Sequence, residues 1–244
     1  MPEETKAIEE NETWELVDPP PGCRPIGLKW VYKVKRDERS AIVKHKARLI
    51  ARGFVQREGI DFEEVFAPVA CMESVRLLLA LAAAKDWCVH HLDIKSAFLN
   101  GELAETVFVR QPLGFAVKGV EHRLLRLRKA LYGLRQAPRA WNVKLDATLG
   151  ELGFQRGATK HALYTQRWGK DELIVSVYVD DLIVTSVRAE DIDIFKREMA
   201  ACFRMRDLGA LSYYLGIEVK QGKEALMLSQ STYVAKIVRA ERHG

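Results

Sequence analysis

Long apolar runs are missing from this sequence. The longest, residues 77–84, has eight members. A membrane-spanning helix needs about 20, so no membrane partner is expected. The opening MPEETKAIEE is acidic and holds no apolar stretch, so no secretory leader is expected. Cysteine is scarce. Cys23, Cys71, Cys88 and Cys202 lie far apart, with no Cys-x-x-Cys pair. That pattern argues against a zinc site or a disulfide framework and points to a reducing, intracellular setting. Internal repeats and low-complexity tracts are absent too. The 244 residues carry a net charge of only +5, with 48% hydrophobic and 29% charged. This balance excludes a disordered chain and suits one or two soluble domains. The length is enough to bury a core without covalent staples.

What is present is uneven charge. Residues 1–23 hold seven acids and one base, and residues 29–57 hold ten bases and two acids. Residues 58–75 hold five acids and no base, and residues 118–144 hold eight bases and one acid. Two basic blocks suggest a polyanion-binding surface; two solvated faces would give the same composition.

Residues 1–28 read as a lead-in, turn-rich and poor in regular structure because of Pro19, Pro20, Pro21, Gly22, Pro25 and Gly27. Period-2 alternation on both sides of a polar break at residues 36–40 predicts a basic β-hairpin. One face of its second strand would present Lys46, Arg48 and Arg52 together. Ser74 is expected to cap a helix to about Asp86, with Val75, Leu78, Leu79 and Ala82 at helical spacing. Residues 89–94 read as a strand ending near an acid, and residues 124–131 as a half-buried strand. A helix is expected from Pro138 to about Leu152, proline being tolerated in a first turn. ALYTQRW, ELIVSVYV and LIVTSV, residues 162–187, predict an antiparallel meander with Asp180 and Asp181 at a hairpin tip. A helix over 189–202, a hairpin YYLGIEV–QGKE–ALMLSQ and a last helix from Ser231 follow. Helices mixed with strands on short turns predict α+β with a mainly antiparallel sheet.

Two adjacent acids inside an apolar hairpin are costly to place, although an isolated Asp-Asp also suits an ordinary turn. Asp93 closes a second apolar strand, before Lys95-Ser96-Ala97-Phe98-Leu99-Asn100-Gly101. If the two strands are neighbours, Asp93 and Asp180 face one spot. Carboxylates gathered there repel unless cations bind. Oxygen donors of this kind suit magnesium, and two ions about 3.5–4 Å apart would activate a hydroxyl and stabilise a leaving oxygen.

Y-V-D-D in an apolar hairpin, preceded by L-D-I-K-S-A-F-L-N-G and L-Y-G-L-R-Q-A-P-R-A-W, resembles the reverse transcriptase domain of copia-type long-terminal-repeat retrotransposons. T-W-E-L-V at 13–17, K-W-V-Y-K-V-K at 29–35, K-A-R-L-I-A-R-G at 46–53, F-A-P-V-A at 66–70 and Y-Y-L-G-I-E-V at 213–219 agree. The likeness runs from about Ala7 to Val238, in one order.

The resemblance implies a right-hand polymerase fold. Residues 1–28 would be the lead-in, 29–70 and 103–131 the fingers, 71–102 and 132–219 the palm, and 220–244 the start of a thumb that is only partly present. Asp93, Asp180 and Asp181 would be the catalytic acids. With the carbonyl of Ile94 they would hold two Mg2+, for which Mn2+ would substitute. The reaction would be attack of a primer 3′-hydroxyl on a deoxynucleoside triphosphate, releasing pyrophosphate. Lys46 and Arg48 would grip the triphosphate, Phe98 would stand against its sugar and exclude a 2′-hydroxyl, and Tyr132 and Gly133 would line the nucleotide site. Gln136, Pro138 and Arg139 would lie on the template side, with Arg135 and Lys144 near template phosphates. Leu215 and Gly216, in the hairpin over 213–228, would grip the primer. Arg206 falls near a family lysine thought to protonate pyrophosphate, a role that arginine fills poorly.

The implied partners are an RNA template, a DNA or RNA primer and the RNA–DNA hybrid, held by phosphate and shape. Capsid, protease, integrase and ribonuclease H regions of a parent polyprotein are not visible. A cytoplasmic location, in retroelement particles for a complete element, is expected. The competing expectations are a truncated, non-catalytic nucleic-acid-binding remnant and a fragment without function.

Overall fold

The computed structural model of the chain describes residues 2–36, 42–222 and 225–241. Most of the polar break expected at 36–40, Arg39 included, and positions 223 and 224 of the last expected turn lie outside the described residues. The elements run α1 (Pro2–Glu10), β1 (Trp14–Val17), β2 (Leu28–Arg36), β3 (Ile42–Ala51), α2 (Met72–Ala84), β4 (Val89–Ile94), β5 (Glu102–Arg110) and β6 (Leu124–Lys129). Then come α3 (Ala137–Glu151), β7 (Gln155–Arg156), β8 (Leu163–Trp168), β9 (Asp171–Tyr178), β10 (Asp181–Ser186) and α4 (Ala189–Cys202). The last are β11 (Met205–Ala210), β12 (Tyr213–Tyr214), β13 (Ile217–Gln221), β14 (Leu226–Ser229) and α5 (Ser231–Glu241). This is a mixed α and β architecture with antiparallel sheets. Among the described residues no helix is long and apolar enough to cross a membrane.

The chain forms two compact units. Unit 1 comprises residues 1–67 and 96–147, and unit 2 comprises 68–95 and 148–244.

Unit 1 holds the β2–β3 hairpin and a three-stranded sheet in the order β1-β6-β5. The lead-in is not poor in regular structure, because α1 and β1 lie within it. Ile8 of α1 is fully buried in a core with Leu49, Leu99, Val109 and Leu131. The physical reason is long-range. β1 completes a sheet by pairing with β6, and acids of β1 and just after it meet basic residues of β6 and just before it. Asp18 takes Arg123 at 2.8 Å, and Glu15 takes Arg126 at 3.6 Å and also Arg128. Part of the second basic block is therefore neutralised inside the unit. Gly133 explains itself by crowding. It has φ +89, and a Cβ there would meet the Ala51 carbonyl oxygen at 2.3 Å.

Unit 2 is built on a six-stranded sheet in the order β11-β4-β10-β9-β8-β7. The expected meander forms β8, β9 and β10. β9 is buried over five consecutive residues, since both faces are covered. α2 packs on one face through Val75, Leu78, Leu79 and Ala82, the four positions at helical spacing. Its cap is Cys71 rather than Ser74, which lies buried in the first turn with its hydroxyl 3.0 Å from the Cys71 Sγ. α4 takes the other face, where its Lys196 Nζ lies 2.8 Å from His90. The segment YYLGIEV is not one strand. Leu215 and Gly216, at φ +48 and +87, turn it between β12 and β13, as a two-residue hairpin loop with both residues left-handed requires.

A candidate active site of carboxylates

β4 lies between β10 and β11, and this places the acids. Asp181 pairs with Asp93 across β10–β4, and Arg206 pairs with Asp93 across β11–β4. Residues directly opposite share a sheet face, so Asp181, Asp93 and Arg206 form a row. The Ile94 N–H donates to the Asp180 carbonyl at 2.8 Å. This makes Asp93 and Asp181 a pair with no hydrogen bond between them, the kind whose Cα atoms approach to about 4.5 Å. The residue opposite Asp93 is thus Asp181. Asp180 occupies the two-residue turn between Tyr178 and Asp181.

That turn is strained. Val179 has φ +58. A β-branched residue rarely adopts a left-handed backbone, and such outliers cost about 1–3 kcal/mol. They persist where the surroundings over-determine them, and they cluster at functional sites.

Two carboxylates side by side need compensation. His91 is two residues before Asp93 and shares its face; its Nε2 donates to Asp181 Oδ1 at 2.9 Å. Arg206 reaches Asp93 Oδ2 at 3.9 Å. The carboxylates stay accessible, with side-chain exposure of 28% for Asp93 and 33% for Asp181. Tyr214 packs edge-on to His91 at 5.5 Å between ring centroids. Burial, helped by the charges of Asp181, Tyr178 and Asp180, pushes its hydroxyl far above the ordinary range. That hydroxyl is buried with no hydrogen-bond partner among the described residues.

The donors fit a hard divalent cation in kind, being carboxylate oxygens on adjacent strands and a tight turn. Among the described residues, no three His, Cys, Asp or Glu side chains converge closely enough to hold a metal. The acids are aligned on one face but engaged by His91 and Arg206. Ile94 is fully buried.

The other expected residues divide between the units. In unit 1, Lys46 and Arg48 share one face of β3, opposite Lys33 and Val31. The Arg48 guanidinium lies 4.7 Å over the Tyr132 ring, and the Phe98 ring lies 5.0 Å from the same ring. Arg48, Tyr132 and Phe98 therefore form one cluster, with Gly133 next in chain. Gln136 is buried. Its amide donates to the Asp61 carbonyl and accepts from Gln56, each at 2.9 Å, so it braces the loop near residues 56–61. Pro138 lies in the first turn of α3, and the exposed Arg139 reaches Glu64 at 3.8 Å. In unit 2, Leu215 and Gly216 sit at the β12–β13 tip.

Sequence reasoning passed over two residues. His91 could have been found, since i−2 on a strand shares the face of Asp93. Glu4 of α1 carried no signal. Its buried carboxylate accepts from the Leu49 N–H at 3.3 Å. Burial raises its pKa against the opposing pull of Leu49, Arg48 and Lys46.

Residues 11–242 match the family described as reverse transcriptase (RNA-dependent DNA polymerase), and the chain belongs to that family. Its relatives there are copia-type Pol polyproteins of transposons. It is 38% identical over 241 residues to the retrovirus-related Pol polyprotein from transposon TNT 1-94 of Nicotiana tabacum, covering 98% of this chain and 18% of that protein. It is 37% identical over 229 residues to the corresponding polyprotein from transposon RE1 of Arabidopsis thaliana, covering 93% of this chain and 16% of that protein. The chain thus spans less than a fifth of these relatives.

Proposed function

We propose that the chain is the RNA-directed DNA polymerase module of such a polyprotein, with fingers over 29–70 and 103–131 in unit 1, a palm over 71–102 and 132–219 that takes in most of unit 2, and the start of a thumb over 220–244. The observation that carries this reading is the in-register Asp93–Asp181 pair beside the strained Val179–Asp180 turn. Asp93 and Asp180 would hold two Mg2+, or Mn2+ in their place, with Asp181 as third acid and the Ile94 carbonyl as a further donor. Bound there, the ions would lower the pKa of the primer 3′-hydroxyl and stabilise the leaving pyrophosphate. The protein's own part is positioning and charge. In unit 2 the turn at Leu215–Gly216 would steady the primer. In unit 1, Lys46 and Arg48 would neutralise the triphosphate, and Arg48 is already oriented by its stack on Tyr132. Phe98, locked against Tyr132, would meet the sugar. Gln136, Pro138 and Arg139 would shape the template side, Gln136 through the loop it braces. Partners would be an RNA template, a primer, their hybrid and deoxynucleoside triphosphates, in cytoplasmic particles.

Primer extension on an RNA template with a DNA primer tests this, in Mg2+ and then Mn2+. Wild type should incorporate, and Asp180→Asn should not while melting at the same temperature. Equal extension by Asp180→Asn would remove that residue from the site. The competing reading is nucleic-acid binding without synthesis, favoured by the engagement of the acids with His91 and Arg206. It predicts no incorporation by a well-folded wild type.

A further inference from the structure

A cavity of about 580 Å³ lies in unit 2, between the sheet and α4. That is within the roughly 300–1,000 Å³ of ligand pockets. None of the residues assigned above to metal, nucleotide, template or primer lines it. Register and helical spacing explain how it forms. Trp168 pairs with Asp171 beside the tip of the β8–β9 hairpin, so the two share a face with Leu173, two residues on. Asp191, Ile194, Phe195 and Glu198 follow at i, i+3, i+4 and i+7 along one stripe of α4. The floor is apolar and closed, with Leu173 and Phe195 each 1% exposed. The walls are apolar and open, with Trp168 45% and Ile194 44% exposed. The rim is acidic. Its one base, Arg188, donates to Asp191 at 2.6 and 3.2 Å and lies 3.5 Å from Asp171. Glu198 is exposed and in no ion pair among the described residues. Asp171 and Tyr178 stand at opposite ends of β9, seven residues or roughly 23 Å apart. The cavity is therefore remote from the carboxylate row.

Arg188 is spent on two carboxylates, so an anion, nucleic acid included, finds no free cation here. Three acids against one base leave the lining at −2 in a chain of +5. The chemistry asks for a cation. A bare metal ion would leave the apolar walls in water. A long side chain with an apolar stem and a charged head would cover them, because such chains lay the stem on apolar surface and keep the head at a polar rim. Arginine fits better than lysine. Its planar guanidinium stacks on an aromatic face and gives a carboxylate two donors. We infer that this cavity docks an arginine of a basic protein segment, with its stem against Trp168 and Ile194 and its guanidinium on Glu198.

The cavity does not involve the polymerase site, and neither does its test. The blocked peptide acetyl-Gly-Arg-Gly-Arg-Gly-amide is titrated into the full chain while the indole N–H signals are followed by NMR. Of the five tryptophans, Trp168 is identified by the signal that Trp168→Leu loses. That signal should shift and saturate with a dissociation constant on the order of 1 mM, the strength of one anchoring side chain. The signals of Trp14 and Trp30, in unit 1, should stay in place. Glu198→Gln should weaken binding about two- to fivefold, and Glu198→Arg at least tenfold, since like charges then meet. Glu198 is exposed on α4, so both variants should melt with wild type. The same peptide with lysine should bind several-fold more weakly, and with glutamate not at all. Asp180→Asn should bind as wild type does. No shift of Trp168 at about 10 mM peptide, ten times the expected constant, would overturn the assignment. So would unchanged affinity in Glu198→Arg, or equal shifts with the glutamate peptide. A Trp168 signal that moves on raising the protein concentration without peptide, and stays still in Glu198→Arg, would give the cavity to a second copy of the chain instead.

Discussion

Two pairs of carboxylates, one in each unit, are used in opposite ways. In unit 1, Asp18 and Glu15 each stand against a guanidinium, 105 and 113 residues away in sequence. Two of the seven acids in residues 1–23 thus help to seat β1 on β6. In unit 2, Asp93 and Asp181 stand opposite each other on neighbouring strands, at the kind of pair where side chains come closest. Next to them the backbone of Val179 is held left-handed. Segment charge advertised the first set and was silent about the second. Acids kept together against repulsion and strain are the better sign of function.

Removing one acid from each set should break the comparison open. Asp93→Asn should reduce primer extension at least a hundredfold, the scale of losing one charge-stabilising group. The same change should stabilise the fold, because like charges directly opposite on paired strands destabilise by about 0.2–1 kcal/mol. A melting temperature higher by about 0.5–4 °C is expected for a chain of this size. Glu15→Gln should do the reverse. It should lower stability by about 0.2–1 kcal/mol and leave extension alone. Calorimetry beside primer extension reads both. A fall in melting temperature for Asp93→Asn would mean that its contact with Arg206 outweighs the repulsion from Asp181.

A smaller effect is expected at His91. Its ring donates to Asp181 and would hold that carboxylate in one orientation. Partners behind metal-binding carboxylates typically alter affinity or activity 10–100-fold. His91→Leu should therefore weaken Mn2+ binding, read by titration calorimetry, and extension about tenfold. His91→Gln keeps a donor and should recover most of both. Equal losses in the two variants would make the ring's packing on Tyr214, rather than its hydrogen bond, the relevant contact.

The contrast also explains what was legible in the sequence. The meander β8–β10, strand β4 and helix α4 carry their apolar runs or helical spacing within each element, next to clear turn signals. α1 and β1 were missed because what stabilises them lies in β3 and β6, far along the chain. β11 was missed because MRDLGA does not alternate; it becomes a strand by pairing with β4. The Leu215–Gly216 turn was hidden inside an apolar run whose one signal was a single glycine. The acids were legible as residues, but their register was not. That Asp181 rather than Asp180 stands opposite Asp93 depends on a two-residue turn with a left-handed valine.

A third use of a carboxylate gives the smallest expected effect. Among the described residues, Glu218 in β13 is held by hydrogen bonds rather than by a basic partner. It accepts from the Thr232 N–H at 2.8 Å, the Thr232 hydroxyl at 2.6 Å and the Ser229 hydroxyl at 2.8 Å. It thereby ties the first turn of α5 to the sheet, where a negative charge is favoured. These bonds hold its pKa down, from 4.5 to about 2. The folded value lies below the unfolded one, so between them the unfolded chain binds more protons and stability rises with pH. The contribution is complete above about pH 4.5 and disappears as the pH falls toward 2. Hydrogen exchange of the α5 amides should therefore accelerate across that window in wild type. Glu218→Gln cannot ionise, and in it α5 should exchange faster at neutral pH and show no such step. A wild-type step centred at 4.5 would mean that the carboxylate titrates as a free group, and that α5 is held by its apolar contacts alone.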